Sequence, residues 1–423
     1  MECDVVVVGA GVAGLAAAGA LRRAGLRCTV IEAADRIGGR AWTTTPALLG
    51  GAAFDHGASW LHSAERNPLA ALARAENEAL IDTEAVRVRT TRRDGRLATD
   101  ADHADYDAAE AVFNRLTTER LHGPDTSLAE AVAPVAAAPW MAAVVNWEAP
   151  IIAAADARAL SLRDWHANLL EGGNLEVAGG LGAFVHRRLG PPAGTVQLGV
   201  AATAIAWDGA GVAVQTVSGV IRGAACIVTV STGVLAAGAI VFTPGLPDAV
   251  QAAIDGLPMG VLNKVALKAS GTDRLGLPES CGVDQFVAHI DDPAMTFIAW
   301  PHGQDHLIGF MGGSVAASLD QEGGAEAHAR AQLRSLFGAG VEAAFTSGAV
   351  VTRWASDPFT RGSYAYARPG HAGARGVLAQ PLAGGRLVFA GEATRTDGLA
   401  GTVGGAYLSG IEAAATVTAC VAG

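Results

Sequence analysis

The chain has 423 residues, of which 50% are hydrophobic and 54 are glycine, and it carries a formal net charge of −11. That length exceeds one simple core and fits two domains, and the hydrophobic content excludes a disordered chain and suits a buried α/β protein. The negative charge disfavours nucleic acid as a partner, because its phosphates would be repelled, and draws cationic ligands through a mild long-range field.

Five scattered cysteines without a CxxC pair fit a reducing compartment and supply no metal site. The N-terminus is acidic, unlike a secretory leader, and "ATVTACVAG" at the C-terminus carries no membrane tail. Residues 5–21 are all apolar or glycine, yet four glycines interrupt the run, so its start reads as a buried strand and a turn. A cytoplasmic chain without a membrane partner is therefore expected.

In chain order, Val5–Val8 reads as a central parallel strand, 12–24 as a helix ended by Gly25, and 27–31 as a second strand with Glu32 at its tip. Between the first strand and the helix lies Gly9-Ala10-Gly11-Val12-Ala13-Gly14, a G-x-G-x-x-G. Gly9 allows the tight turn, Gly11 lets backbone approach a pyrophosphate, and Gly14 lets helix and strand pack closely. The helix N-terminus offers amides to the phosphates and Glu32 accepts from a ribose hydroxyl. With strand, helix, strand and acid in register, the unit binds a dinucleotide.

Four residues past Glu32 come Arg36-Ile37-Gly38-Gly39-Arg40. A second glycine pair here brings more backbone against the cofactor and sets Arg40 near its phosphates. At these residues the sequence resembles the flavin-dependent amine oxidases, the polyamine oxidase, monoamine oxidase and lysine-specific demethylase type, whose FAD domain carries this RxGGR continuation. The resemblance implies FAD rather than NAD, with Gly39, Arg40, Ala41 and Trp42 against it. It also implies a glutathione-reductase-like FAD-binding Rossmann domain with an inserted α+β substrate-binding domain. The FAD domain would be discontinuous, over 1–80, 176–261 and 376–423, with the substrate domain over 81–175 and 262–375.

"DHGASWLH" (55–62) is similar to the family's segment under the flavin ring, which implies contacts from Gly57, Ala58, Ser59 and Trp60. Asn67 and Pro68 are the N-cap and first residue of a helix leaving that site. Residues 82–175 are Ala-rich and helical in pattern, with a capping box at Ser127 and Glu130, and read as a helical substrate domain. "EVAGGLGAFVHRRLG" (176–190) resembles the Gly-Gly helix that returns to the FAD domain. Asp208-Gly209 marks a hairpin, and Ala202 stands where relatives contact the adenine through backbone.

"RWASDPFTRGSYAYARPG" (353–370) closely resembles a segment of polyamine oxidases and flavin-dependent lysine demethylases. "GRLVFAGEATRTDGLAGTVGGAYLSGIEAAA" (385–415) reads as strand, turn and helix. The resemblance gives Gly391 and Glu392 to the ribityl or phosphate portion of FAD. It aims the helix starting near Thr402 and Val403 at the flavin's pyrimidine edge, where its dipole favours reduction.

Of 30 basic residues only two are lysine, Lys264 and Lys268, both in "LNKVALKAS". A strand there puts Lys264, Ala266 and Lys268 on one face. In the family such an "NK" lysine holds a water against flavin N5, a task for a slim ammonium rather than the broad arginine fork. Lys268 matches nothing and reads as a surface residue. His62 stands where polyamine and spermine oxidases also place a histidine, able to hydrogen-bond the substrate nitrogen. Trp60 and Trp354 match the aromatics beside the isoalloxazine and Tyr364 the one facing it.

Three positions depart from relatives. Ser363 replaces the cysteine that tethers flavin in mitochondrial monoamine oxidases, so a non-covalent FAD is expected. Leu399 or Thr402 falls where a second tyrosine often completes an aromatic cage. Trp60 replaces the arginine that clamps the carboxylate in L-amino acid oxidases, which argues against an amino acid substrate. The expected function is oxidation of a small-molecule amine, a polyamine or similar cationic amine, to an imine that water hydrolyses, with O2 reduced to H2O2. Rival readings are an L-amino acid oxidase, a desaturase-like oxidoreductase, or a regulatory protein that only binds flavin.

Overall fold

In the computed structural model, which describes residues 2–422, the four valines Val5–Val8 form the middle strand of a five-stranded parallel sheet. Its order is Val196–Gln197, Cys28–Ile31, Val5–Val8, Ala225–Val228 and Leu387–Phe389. A strand covered on both faces needs apolar residues at every position, which is why the alternation of a half-exposed strand is missing. Val5 and Val7 pack on the helices Val12–Arg23, Leu181–Ala193 and Val403–Ala422. Val6 and Val8 pack instead on a second, four-stranded sheet and on the helix Asp248–Gly256. That second sheet holds the hairpin read at Asp208-Gly209, with Ala202–Ala206 antiparallel to Val212–Thr216.

The opening elements fall where the sequence puts them, at Val5–Val8, Val12–Arg23 and Cys28–Ile31. Asn67 caps the helix Pro68–Ala75 through its side chain and the amide of Leu69 (3.0 Å), and Ser127 and Glu130 form a reciprocal capping box.

The other large layer is a seven-stranded sheet, in the order Val350–Val351, Leu262–Lys268, His306–Gly312, Thr296–Ala299, Cys281–Gln285, Val88–Arg93 and Arg96–Leu97. Val265 and Leu267 face a core shared with the helices Gly313–Glu322 and Ala325–Phe337. Lys264 and Ala266 face the opposite way, where Ala266 packs on Leu49 and Phe54. A helical cluster around Trp140, Phe113 and Trp165 completes this half.

The expectation that 82–175 is helical is wrong at its start. Residues 88–97 are a β-hairpin whose longer strand pairs in parallel with Cys281–Gln285. Asp94 (φ +50°) and Gly95 (φ +77°) turn it, an Asp-Gly pair in the left-handed region that two-residue hairpins require. Arginines at 89, 92 and 93 mask the strand in the sequence, because they stand where β-branched or aromatic residues would mark one.

Candidate active site

One cavity of about 790 Å³ runs from Gly9, Gly11 and Glu32 past Arg40, Gly57 and Lys264 to Trp147, Glu148 and Leu169. It joins the parallel sheet to the seven-stranded sheet.

The first end is the glycine turn. Gly9 has φ +100°, and a Cβ on Gly14 would collide with the Gly9 carbonyl, so helix and turn touch through bare backbone. Gly11 has no atom within 4 Å of where its Cβ would stand and so leaves room for phosphate oxygens. The Gly38-Gly39 pair braces this turn, since the Gly38 amide donates to Ala10 O (2.8 Å) and Gly39 lies against Gly11. Glu32 accepts from the amides of Ala10 (2.7 Å) and Ala34 (2.9 Å), which fixes the carboxylate at the cavity wall.

Glu392 reports most directly on what the cavity is shaped to hold. Its Oε1 accepts from Arg40 (2.7 Å) and from the Ala365 amide (3.1 Å), while its Oε2 is buried without a partner. An orphaned carboxylate oxygen at a cavity wall calls for a ligand hydroxyl. The cavity therefore fits the ribityl chain of FAD. Beyond it, the Thr402 hydroxyl caps the closing helix through the Gly405 amide (3.0 Å), and the Val403 and Gly404 amides find no acceptor among the described residues. These free donors suit an electron-rich ring edge.

Arg40 lines the cavity with Nη1 held by Glu392 and by Ser363 O (2.9 Å), and its Nε and Nη2 have no partner among the described residues. One expected cofactor contact needs correction. Trp42 lies outside the lining, stacked on His56 at 4.0 Å between centroids, with the Arg36 guanidinium 4.3 Å from its ring centroid. Aromatic and guanidinium faces satisfy each other there, leaving no surface for a cofactor. Ala41, Ala58 and Ala202 do line the cavity, as do Gly391 and Val403.

Lys264 is buried and donates to Asp55 O, Gly57 O and Ser59 Oγ, each at 2.7 Å. Burial pulls its ammonium down to about 8, partly countered by Asp55. The Asp55 carboxylate is turned away, accepting from Thr43 Oγ1 and from the amides of Leu181 (3.0 Å) and Gly182 (3.2 Å) at the next helix's start. Lys264 thus pins the 55–59 segment, and Gly57 is packed so tightly that a Cβ would strike the Arg40 carbonyl and the Trp354 ring.

Trp354 is buried at the cavity wall and donates through Nε1 to His56 O (3.2 Å). Its amide donates to Asn263 Oδ1 (3.3 Å), and Asn263 Nδ2 donates to the buried Asp320 (3.2 Å). Asn263, the residue before Lys264, therefore sets the tryptophan. The "NK" pair carried that signal, though only its lysine was read.

Tyr364 lines the cavity with its hydroxyl tied to Ile152 O (2.7 Å), and burial holds its phenol proton on. Gly401 faces its ring, while Leu399 is buried off the cavity and Thr402 is spent as a cap. Of the two positions where a flanking tyrosine was expected, only 364 carries one. The Ser363 hydroxyl bonds Leu262 N (2.8 Å) and O (3.0 Å), which leaves it no nucleophilic role.

Trp60 and His62 line the same chamber. Asn174 Oδ1 can only accept, so His62 Nδ1 carries the proton of their 2.7 Å bond and Nε2 is left as an acceptor. Burial lowers this imidazole's affinity for a second proton, keeping it neutral. Sequence reasoning missed Glu148, which lines the far wall, accepts from Trp165 Nε1 (3.2 Å) and is pushed up to about 7 by burial. It also missed Arg87 and Trp147 in the lining.

Comparison with known proteins agrees with this geometry. The pattern of flavin containing amine oxidoreductases matches residues 145–418, and that of an NAD(P)-binding Rossmann-like domain matches 7–75. Polyamine oxidase 4 of Oryza sativa subsp. japonica is 30% identical over 97% of this chain and 88% of that protein. Lysine-specific histone demethylase 1 homolog 2 of Arabidopsis thaliana is 29% identical over 98% of this chain, which spans only 58% of that protein. Among solved structures, wild-type putrescine oxidase bound to putrescine superposes with a TM-score of 0.80 at 21% identity, covering 99% of both chains.

Proposed function

The chain belongs to the flavin containing amine oxidoreductases, and from that premise we propose that it holds FAD without a covalent tether and oxidises a cationic amine, of which polyamines are the nearest class. The observation that carries this reading is the continuity of one cavity from the Gly9–Glu32 turn to a chamber walled by Trp60, Trp354 and Tyr364. The polyamine oxidase relative and the chamber's acid, Glu148, support the substrate class.

FAD, held by the Gly9–Glu32 turn and Glu392, would supply the hydride acceptor for the carbon beside the amine nitrogen, with O2 as the terminal oxidant and H2O2 as its two-electron product. The chain's own residues do the rest. Apolar walls from Trp60 and Tyr364 favour the neutral amine over the ammonium. His62 Nε2 accepts a hydrogen bond from the substrate nitrogen and orients its lone pair. Lys264 holds Ser59, whose hydroxyl proton is free to hold a water at the reacting edge; the family's lysine-water contact would act here through Ser59. Glu148 takes a distant ammonium of the substrate, its charge returning as that cation approaches. Ser363 has no free hydroxyl to give, which fits a dissociable cofactor.

An amine panel with a peroxide readout tests the reading, together with anaerobic mixing. Spermidine or putrescine should bleach the yellow protein. Flavin that stays oxidised with every amine would overturn it.

A further inference from the structure

Arg87 is an unpaired charge in the cavity lining. It follows the short helix Thr83–Val86, and its stem runs over Gly282, whose missing side chain leaves room for it (3.8 Å from Arg87 Cδ to where a Cβ would stand). The guanidinium lines the cavity and lies 5.8 Å from the Trp60 ring centroid. Among the described residues it makes no hydrogen bond and no ion pair, and burial lowers its affinity for its proton.

Three carboxylates, Glu176, Glu84 and Asp284, stand near enough to favour its charge, yet none bonds it. Glu84 accepts from Asn174 (3.2 Å), Glu176 is bound to His302 (2.5 Å), and Asp284 takes Thr296 (2.6 Å) and Arg89 (3.4 Å). A half-buried guanidinium without an acceptor costs desolvation that a ligand can recover, and its planar fork matches a carboxylate.

We propose that Arg87 binds a carboxylate of the substrate, so that the amine oxidised at this site is also an acid, a diamino acid whose second ammonium reaches Glu148. The cation absent at position 60 is then supplied by Arg87, which approaches the Trp60 ring from the neighbouring helix end. This rests on the amine-oxidase reading and narrows its substrate.

Matched pairs that differ only by the carboxylate test it: ornithine against putrescine, and lysine against cadaverine. The holoenzyme should show a kcat/KM about 10- to 100-fold higher for the acid of each pair, the range of a charge-assisted bidentate bond. Arg87→Gln should erase that ratio through KM, weakening the acid of each pair far more than its plain diamine. Arg87→Lys, which keeps the charge and loses the fork, should fall between. Equal kcat/KM within the pairs, or a Gln variant that weakens both members alike, overturns the proposal. Titration of the oxidised flavin spectrum with valerate and with pentylamine separates the two readings. Arg87-dependent perturbation by valerate supports the anion site even if no amine reduces the flavin, and its absence rejects the site whatever the turnover.

Discussion

Three oxygens converge on one nitrogen at Lys264, each at 2.7 Å. A compact ammonium with three protons meets them all, and a flat guanidinium cannot, which explains a lysine in a chain that otherwise uses arginine. Lys268, four residues on, has its ammonium over the Gly50 turn, 2.7 Å from where a Cβ would stand, away from the cavity. Lys264→Met should retain FAD and slow amine turnover or flavin reoxidation, measured as separate half-reactions by stopped flow. Because burial sets this ammonium near 8, its charge is present below that pH and lost above it; an alkaline limb near pH 8 should vanish in the variant. Glu148 works in the opposite sense. Its carboxyl is neutral below about 7 and ionises above. Binding of a permanently charged tetraalkylammonium should therefore tighten about 10-fold as pH rises through 7, and Glu148→Gln should flatten that dependence, as read by flavin absorbance.

The closing helix Val403–Ala422 shows how one element serves packing and site together. It is apolar enough in length and composition to cross a membrane, yet here it lies along Val12–Arg23. Gly410 permits the contact, since a Cβ there would strike the Ala13 carbonyl. Its first turn then presents the Thr402 cap and the free amides to the cavity. Gly410→Val should cost about 1–3 kcal/mol by overpacking and loosen FAD, which thermal unfolding and flavin retention on a desalting column would show. The hairpin at 88–97 teaches the reverse lesson. Its Asp94-Gly95 turn was written in the sequence, but the strand's partner lies near residue 283, too far along the chain for local pattern to reveal.

At the scale of the whole molecule, the cofactor cavity lies between two sheets built from interleaved segments. Ligand binding and stability are therefore coupled. FAD at about 100 times its Kd should add about 2.7 kcal/mol, seen as a higher Tm for holoprotein than for apoprotein in calorimetry; equal Tm values would place the cofactor elsewhere. The buried Asp164–Arg375 pair, at 2.6 Å, ties the cavity-lining helix Leu162–Ala167 to the segment before Glu392.

The sequence by itself determined the glycine turn, the place of Glu32 at the strand tip, the buried central strand and the closing helix, while Lys264, Trp354 and Tyr364 came from the family resemblance and line the cavity. Each of the former is fixed by backbone conformation or by a run of a few adjacent side chains, so local order suffices. Only the tertiary structure decided that Arg40 meets Glu392, that Trp42 stacks outside the cavity, and that Glu148 and Arg87 enter the chamber. Those roles depend on which charges meet and which are left unpartnered, and partners such as Arg40 and Glu392 lie hundreds of residues apart until the chain folds.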